Sequence, residues 1–202
     1  MTLLVSSELV REVLVTVANW RLYFRLHDYL AGRATAADVL AADSDALAKL
    51  GSVWVLVLVG GAAGIAVAVW LWRARINSEL MGGAAAHRRA RGWAVGGWMT
   101  PVANLWIPYQ VVSDVWRASA PRRSVPVTLV SAWWALFVAA NIVVKPMQWR
   151  VANNLDSEHQ VLTNANLSTL LTALYVAAGL LLLLIVRRVT TWQTGGHVGN
   201  AV

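Results

Sequence analysis

The chain has 202 residues, of which 58% are apolar and 13% are Asp, Glu, Lys or Arg, against about 25% charged in an ordinary soluble domain. With twelve Trp, no Cys and a mean hydropathy of +0.55, this argues against a soluble enzyme, a disordered chain and a disulfide scaffold. What remains is a small membrane-embedded domain, and the placement of its net charge of +7 decides between nucleic acid and an anionic membrane face as the reason for the basic balance.

The first segment, near residues 3–24, is helical in period. Leu9, Val13, Val17, Trp20 and Phe24 lie along one side, and Glu8, Arg11, Glu12, Thr16 and Asn19 form a polar stripe on another. Each charge buried in a bilayer costs about 2.5–3.5 kcal/mol. The helix therefore either spans with its stripe against a bundle or lies at the interface; spanning with an inside N-terminus is expected. It lacks a basic n-region and a small-residue cleavage site, so no signal peptide is read there. The connector Ala31–Gly51 should hold a short helix with Thr35 as N-cap and Asp38 three residues on.

Three uncharged stretches follow that match the hydrocarbon thickness at about 1.5 Å per residue: Ser52–Trp72, Val125–Val144 and Ala165–Val186. A fourth, Trp93–Ser113, is also uncharged but is interrupted by Pro101 and Pro108. Residues 193–202 read as a flexible tail, and residues 1–192 as one membrane domain without internal repeats.

The charges between these stretches are lopsided. Residues 73–92, 117–124 and 187–188 together hold ten Arg against Glu79 alone, whereas 25–50 and 145–164 are balanced or acidic. Cytoplasmic loops carry the Lys/Arg excess, so the first set is expected inside, with both termini. Trp93–Ser113 is then flanked by inside-type charge at both ends. It is expected to enter and leave by the same side, as a re-entrant or interfacial hairpin, and not to cross. The fold expected is all-α: a polytopic integral membrane bundle of about four membrane helices with one Pro-broken hairpin.

The run WLWRARINSEL, followed by RGWAVGGWMTPVANLWIPYQVVSDVWRAS, resembles a bacterial, largely actinobacterial, membrane family known as domain of unknown function 4328. The resemblance rests on Trp72, Arg73, Arg75, Asn77, Gly92, Trp93, Trp98, Pro101, Asn104, Leu105, Pro108, Tyr109, Trp116, Arg117, Ala118 and Ser119. Trp133-Trp134, the Val186–Thr190 run with Gln193, and the connector with Gly32 and Asp43 extend it. It implies a bundle of about four helices in a bacterial plasma membrane, and no activity. Relatives have a more apolar first helix than this chain.

Three groups of residues are candidates for function. Pro101, Asn104 and Pro108, with Trp98 and Tyr109 beside them, would share one helix face, and each proline would free a carbonyl. Such an element either holds an ion, water or polar ligand, as broken transporter helices do, or is a structural kink. Arg73, Arg75, Arg88, Arg89, Arg91, Arg117, Arg122 and Arg123 either contact anionic lipid headgroups or a partner, or only set topology; membrane-bounded loops without a binding module argue against nucleic acid. Gly60, Gly64 and Ala68 form a small-xxx-small stripe for helix packing, within the chain or in a homo-oligomer. Trp54, Trp70, Trp72, Trp149 and Trp192 fall at span ends as interfacial anchors, and Trp133 and Trp134 should pack on the hairpin.

No nucleophile motif, phosphate loop, metal-spaced His cluster or cofactor box is present, so no catalytic, cofactor or metal residue is expected. The few charges lie in loops, at span ends and on the first helix, so no buried ionisable relay is expected either. The leading expectation is a non-enzymatic membrane scaffold or accessory subunit; the alternative is a small transporter or channel lined by the Pro101–Asn104–Pro108 element.

Overall fold

In the computed structural model, which describes residues 2–44, 53–100, 102–121 and 125–198, every described element is helical. Helix α1 is Thr2–Leu30 and α2 is Ala36–Asp43. Helix α3 runs as Val53–Val55, a π-helical stretch Leu56–Gly60, then Gly61–Gly82. Helices α4 and α5 are Trp93–Met99 and Ile107–Ser119. Helix α6 runs as Thr128–Val138, a π-helical stretch Ala139–Val144, then Lys145–Ala152. Helix α7 is Glu158–Val198. Three helical segments are long and apolar enough to cross a membrane: Val57–Gly82, Thr128–Ala152 and Glu158–Gly195.

The capping box is where the sequence puts it. Thr35 sits in extended backbone, its hydroxyl accepts from the Asp38 N–H, and the Asp38 carboxylate accepts from the Thr35 N–H at 2.8 Å. That bond and the one from the Thr35 hydroxyl hold the Asp38 carboxyl below its usual range.

The helices overrun their expected ends. Helix α3 continues ten residues past Trp72 because Arg75 and Glu79, at i and i+4, pair along it. Helix α6 passes through Pro146, which lacks an N–H and whose ring crowds the carbonyl four residues back. The widened π stretch Ala139–Val144 directly before it absorbs that clash. Helix α7 has 41 residues, about 60 Å of rise, and reaches Val198. The flexible tail expected from 193 is therefore helical to 198, and Gln193 is only 5% exposed.

The chain forms two compact units. One comprises residues 64–135 and 178–202. Its interior holds Leu71, Ile107, Val115, Trp116, Val130, Trp133, Ile185 and Val189, each at most 3% exposed. The other comprises residues 2–63 and 136–177. There Ala140, Val144 and Leu171 form the apolar core, with Leu167, Leu174 and Tyr175 packed on it.

Candidate functional site

Each unit contains one cluster of polar side chains. In the unit of residues 64–135 and 178–202 it is built on the end of α3. The Arg75 side chain is 4% exposed; its guanidinium pairs with Glu79 and donates to the Arg89 carbonyl at 2.8 Å. Glu79, with 8% of its side chain exposed, also takes Arg91. One turn of α5 supplies the second acid: Asp114 accepts from the Arg88 backbone N–H at 3.0 Å and from Arg88 Nε at 2.9 Å. Arg89 Nε donates to Gln110 Oε1 at 3.1 Å. The loop 87–91, read as an arginine-rich face, is thus tied back onto its own protein by two carboxylates and an amide. Four arginines named as lipid or partner candidates, Arg75, Arg88, Arg89 and Arg91, have protein partners. Arg73 and Arg117 are exposed on their helices. Arg122 and Arg123 lie outside the described residues.

Gln193 closes the cluster. Its amide nitrogen donates to the Ala74 carbonyl at 2.9 Å and to Ser119 Oγ at 2.8 Å, and its oxygen accepts from Asn77 at 3.3 Å. Trp192 stacks edge-on against Trp116 at 4.7 Å, so it packs inside its unit as well as standing near a helix end. Beside these, Ser78 Oγ lies 3.2 Å from His87 Nε2. The pair does not make a hydrolytic dyad: Ser78 is fully buried and also donates to the Arg75 carbonyl, while both Asp114 oxygens are engaged by Arg88. Burial and the nearby Arg75 charge hold the His87 imidazole below its ordinary value.

The Pro–Asn element is two helices, not one kinked helix. Helix α4 ends at Met99, Ala103–Leu105 forms a 3-10 turn, and α5 starts at Ile107. Asn104 and Pro108 therefore do not share a helix face, which corrects the single-face reading; Pro101 lies outside the described residues. Pro108 stands in the first turn of α5, where its missing N–H breaks no helical bond. A Cβ on Gly97 would come within 2.7 Å of Ile107 Cγ2, so α4 and α5 pack this closely only with glycine there. Trp134 Nε1 donates to the Leu105 carbonyl at 3.0 Å, Trp98 meets Trp134 edge-on at 6.0 Å, and the Tyr109 and Ser131 hydroxyls bond at 3.0 Å. Trp134 thus packs on this element, and Trp133 meets Trp134 at 5.4 Å. Asn104 Oδ1 is buried with no partner among the described residues.

The unit of residues 2–63 and 136–177 holds a polar seam in which the α1 stripe, expected against a bundle, meets α7. Arg11 and Glu12 are each 6% exposed. Arg11 bridges Glu8, at 2.7 Å, and Glu12, so the charges of the expected stripe are buried as one paired group. Below them the α1 stripe meets α7: the Thr16 and Thr172 hydroxyls bond at 2.8 Å, Thr172 donates to the Glu12 carbonyl at 3.2 Å, and Asn19 donates to Ser168. Gln148 of α6 donates to the same Ser168 at 2.6 Å. Lys145, one turn earlier on α6, sits 5.7 Å from the Tyr175 ring centroid, and Tyr175 donates to Asn141 at 2.9 Å. The α1 stripe therefore faces other helices of its unit. Of the small-residue stripe, Gly60 lies against Glu8, 3.8 Å from the carboxylate for a Cβ placed there. Gly64 is exposed with nothing within 4 Å, and Ala68 is half-buried.

Among the described residues no three His, Cys, Asp or Glu side chains come together as a metal group. A family model described as Domain of unknown function (DUF4328) matches residues 32–191. The chain belongs to the DUF4328 family. No curated protein and no solved structure matches it. The DUF4328 match begins after α1, so the Glu8–Arg11–Glu12 group lies outside it. Lys145, Ser168 and Thr172 lie within it, as does the whole arginine cluster apart from Gln193. The residues that carried the resemblance therefore have a physical reading here: Arg75, Asn77, Trp116 and Ser119 converge around Gln193 and Glu79.

What sequence reasoning missed were the partners. Asn141, Lys145 and Gln148 recur at i, i+4 and i+7 on α6, and Asn164, Ser168 and Thr172 at i, i+4 and i+8 on α7. Those spacings were the available signal that two apolar helices each carry a polar edge.

Proposed function

We propose that this DUF4328 protein is a multi-pass plasma-membrane protein without enzymatic activity, acting as a scaffold or accessory subunit. The observation that carries this reading is the closure of the arginine cluster. Its buried guanidinium, its two carboxylates and the Gln193 amide each have partners within the unit, which suits a rigid platform better than a reaction centre. Arg73, Arg117, Arg187 and Arg188 remain exposed. On an inner leaflet each would add about 1 kcal/mol of attraction to anionic headgroups, and the same surface would receive an acidic partner.

The topology that goes with this reading has α1, α3, α6 and α7 crossing, α4–α5 entering and leaving on the cytoplasmic side, and both termini cytoplasmic. The chain has no Cys, so single cysteines at the exposed positions Arg91 and Arg117 test it directly. Both should label from the cytoplasmic side; labelling from opposite sides would show that α4–α5 crosses. For the function itself, the protein extracted in mild detergent should run in a larger assembly. Reversing Arg73, Arg117, Arg187 and Arg188 to Glu should dissolve that assembly while leaving the protein folded. A lone, lipid-indifferent species that moves a solute in vesicles would overturn the reading.

Transport is the second reading, and the observation favouring it is the buried seam on α1, α6 and α7. Ionisable groups among apolar helices commonly mark a polar route. The Asn104 element, held by Trp134 and Tyr109, is the weaker lining for such a route.

A further inference from the structure

The seam has more polar capacity than its own bonds use. Asn164 is 4% exposed, yet its Oδ1 has no hydrogen-bond partner among the described residues. It stands one turn from Ser168 on the same side of α7. A buried amide oxygen left bare costs about 1–3 kcal/mol, and a roomy polar site meets that need with water. From Asn164 polar side chains recur along α7 at Ser168 and Thr172, facing α1 and α6. Ser168 takes Asn19 and Gln148, Thr16 meets Thr172 hydroxyl to hydroxyl, and Thr172 reaches the backbone of Glu12. A hydroxyl pair can reverse which oxygen donates. The charged end holds two carboxylates on one guanidinium, with Lys145 in Coulombic reach of Glu8, Arg11 and Glu12 and Tyr175 beside it.

We infer that this seam is a route for protons, with Glu12 as the group that takes up and releases each one. The inference rests on the transport reading above and names its ion. Glu12 is faced by Glu8 and Arg11 from its own helix, Lys145 from α6 and Tyr175 from α7. With both acids and both bases ionised these sum to zero charge, so one added proton on Glu12 leaves a single positive charge and weakens its pairing with Arg11. A metal cation would bring the same charge with an ordered oxygen shell; the guanidinium and ammonium beside the carboxylates oppose that. Gly60 keeps α3 close to Glu8 without adding a side chain there.

The test uses the full chain in lipid vesicles containing a pH-sensitive dye, with a potassium ionophore to compensate charge. Wild-type vesicles should dissipate an imposed pH difference faster than empty ones. Glu12→Gln should fall to the rate of empty vesicles. Asn164→Leu, which fills the bare site with an apolar side chain, should do the same, and it still reads out the route if Glu12→Gln fails to fold. A merely structural seam would lower the melting point of both variants and leave the flux per folded protein unchanged, overturning the inference. Wild-type vesicles that pass sodium or potassium but no proton would also overturn it while leaving transport standing. Vesicles that pass none of these would remove both.

Discussion

The two polar clusters solve the same problem in opposite ways. In the arginine cluster Arg88 and Arg91 of the loop 87–91 meet acids on two helices, and the Arg75–Glu79 pair lies within one helix. Pairing there fixes the loop 87–91 against the ends of α3 and α5. In the seam the charges of α1 are sequence neighbours, Glu8, Arg11 and Glu12, and neutralise one another on a single helix. The other two helices bring mainly neutral donors and acceptors. Removing one member of the first cluster should therefore undo tertiary structure, whereas the seam should tolerate loss of a single neutral bond.

Arg75→Ala is the most severe way to probe that difference. The variant leaves Glu79 with Arg91 as its remaining cation, and the Arg89 carbonyl without its donor. Because Arg91 still compensates part of the charge, the cost should sit at the lower end for a broken buried pair, about 3 kcal/mol. Thermal unfolding in detergent should show it as a large drop in melting point. Arg75→Lys should recover only part, since an ammonium cannot reproduce the forked geometry that serves Glu79 and a carbonyl together. A wild-type melting point for Arg75→Ala would show that the cluster does not hold the unit.

Gln193→Ala comes next. It strands the Ala74 carbonyl, the Ser119 hydroxyl and the Asn77 amide, at about 1–3 kcal/mol for buried groups left unmade. Deleting the chain from 193 onward should cost at least as much. If the segment were a frayed tail, both changes would leave the melting curve where it was.

How much of this was legible beforehand follows from the range of each interaction. The Thr35–Asp38 box, the polar stripe of α1 and the break between Met99 and Ile107 are written within a few residues, and they were readable. Helix ends were misplaced because Arg73, Arg75 and Glu79 looked like loop charges. Their i, i+4 pairing keeps the helix going, and only the fold shows that Arg75 is buried. Gln193 could not be recognised as a core residue, since its partners Ala74 and Ser119 are 119 and 74 positions away. Thr16 likewise meets Thr172 across 156 positions. The spacing of Asn164, Ser168 and Thr172 is present in the sequence, but without a facing helix it names no partner.

The seam gives a smaller expected effect that would sharpen the comparison. Ser168→Ala removes the acceptor shared by Asn19 and Gln148, and hydrogen bonds between helices in lipid average well under 2 kcal/mol. A loss of about 1 kcal/mol, read as a modest shift of the same unfolding curve, is expected. A loss as large as that of Arg75→Ala would mean that the seam, too, works as a closed lock and has no spare polar capacity.

The smallest effect is a pH dependence carried by His87 of the arginine cluster. His87 is held below its ordinary value of 6.5, first by burial and then by Arg75, so the unfolded chain binds a proton there more readily than the folded one. Stability from this group is complete above the unfolded value and declines as pH falls through it toward the lower folded value. Melting points between about pH 7.5 and about pH 5 should fall for the wild type. His87→Gln, which cannot take up that proton, should flatten the slope over the same interval. An unchanged slope in His87→Gln would place the acid sensitivity outside the arginine cluster.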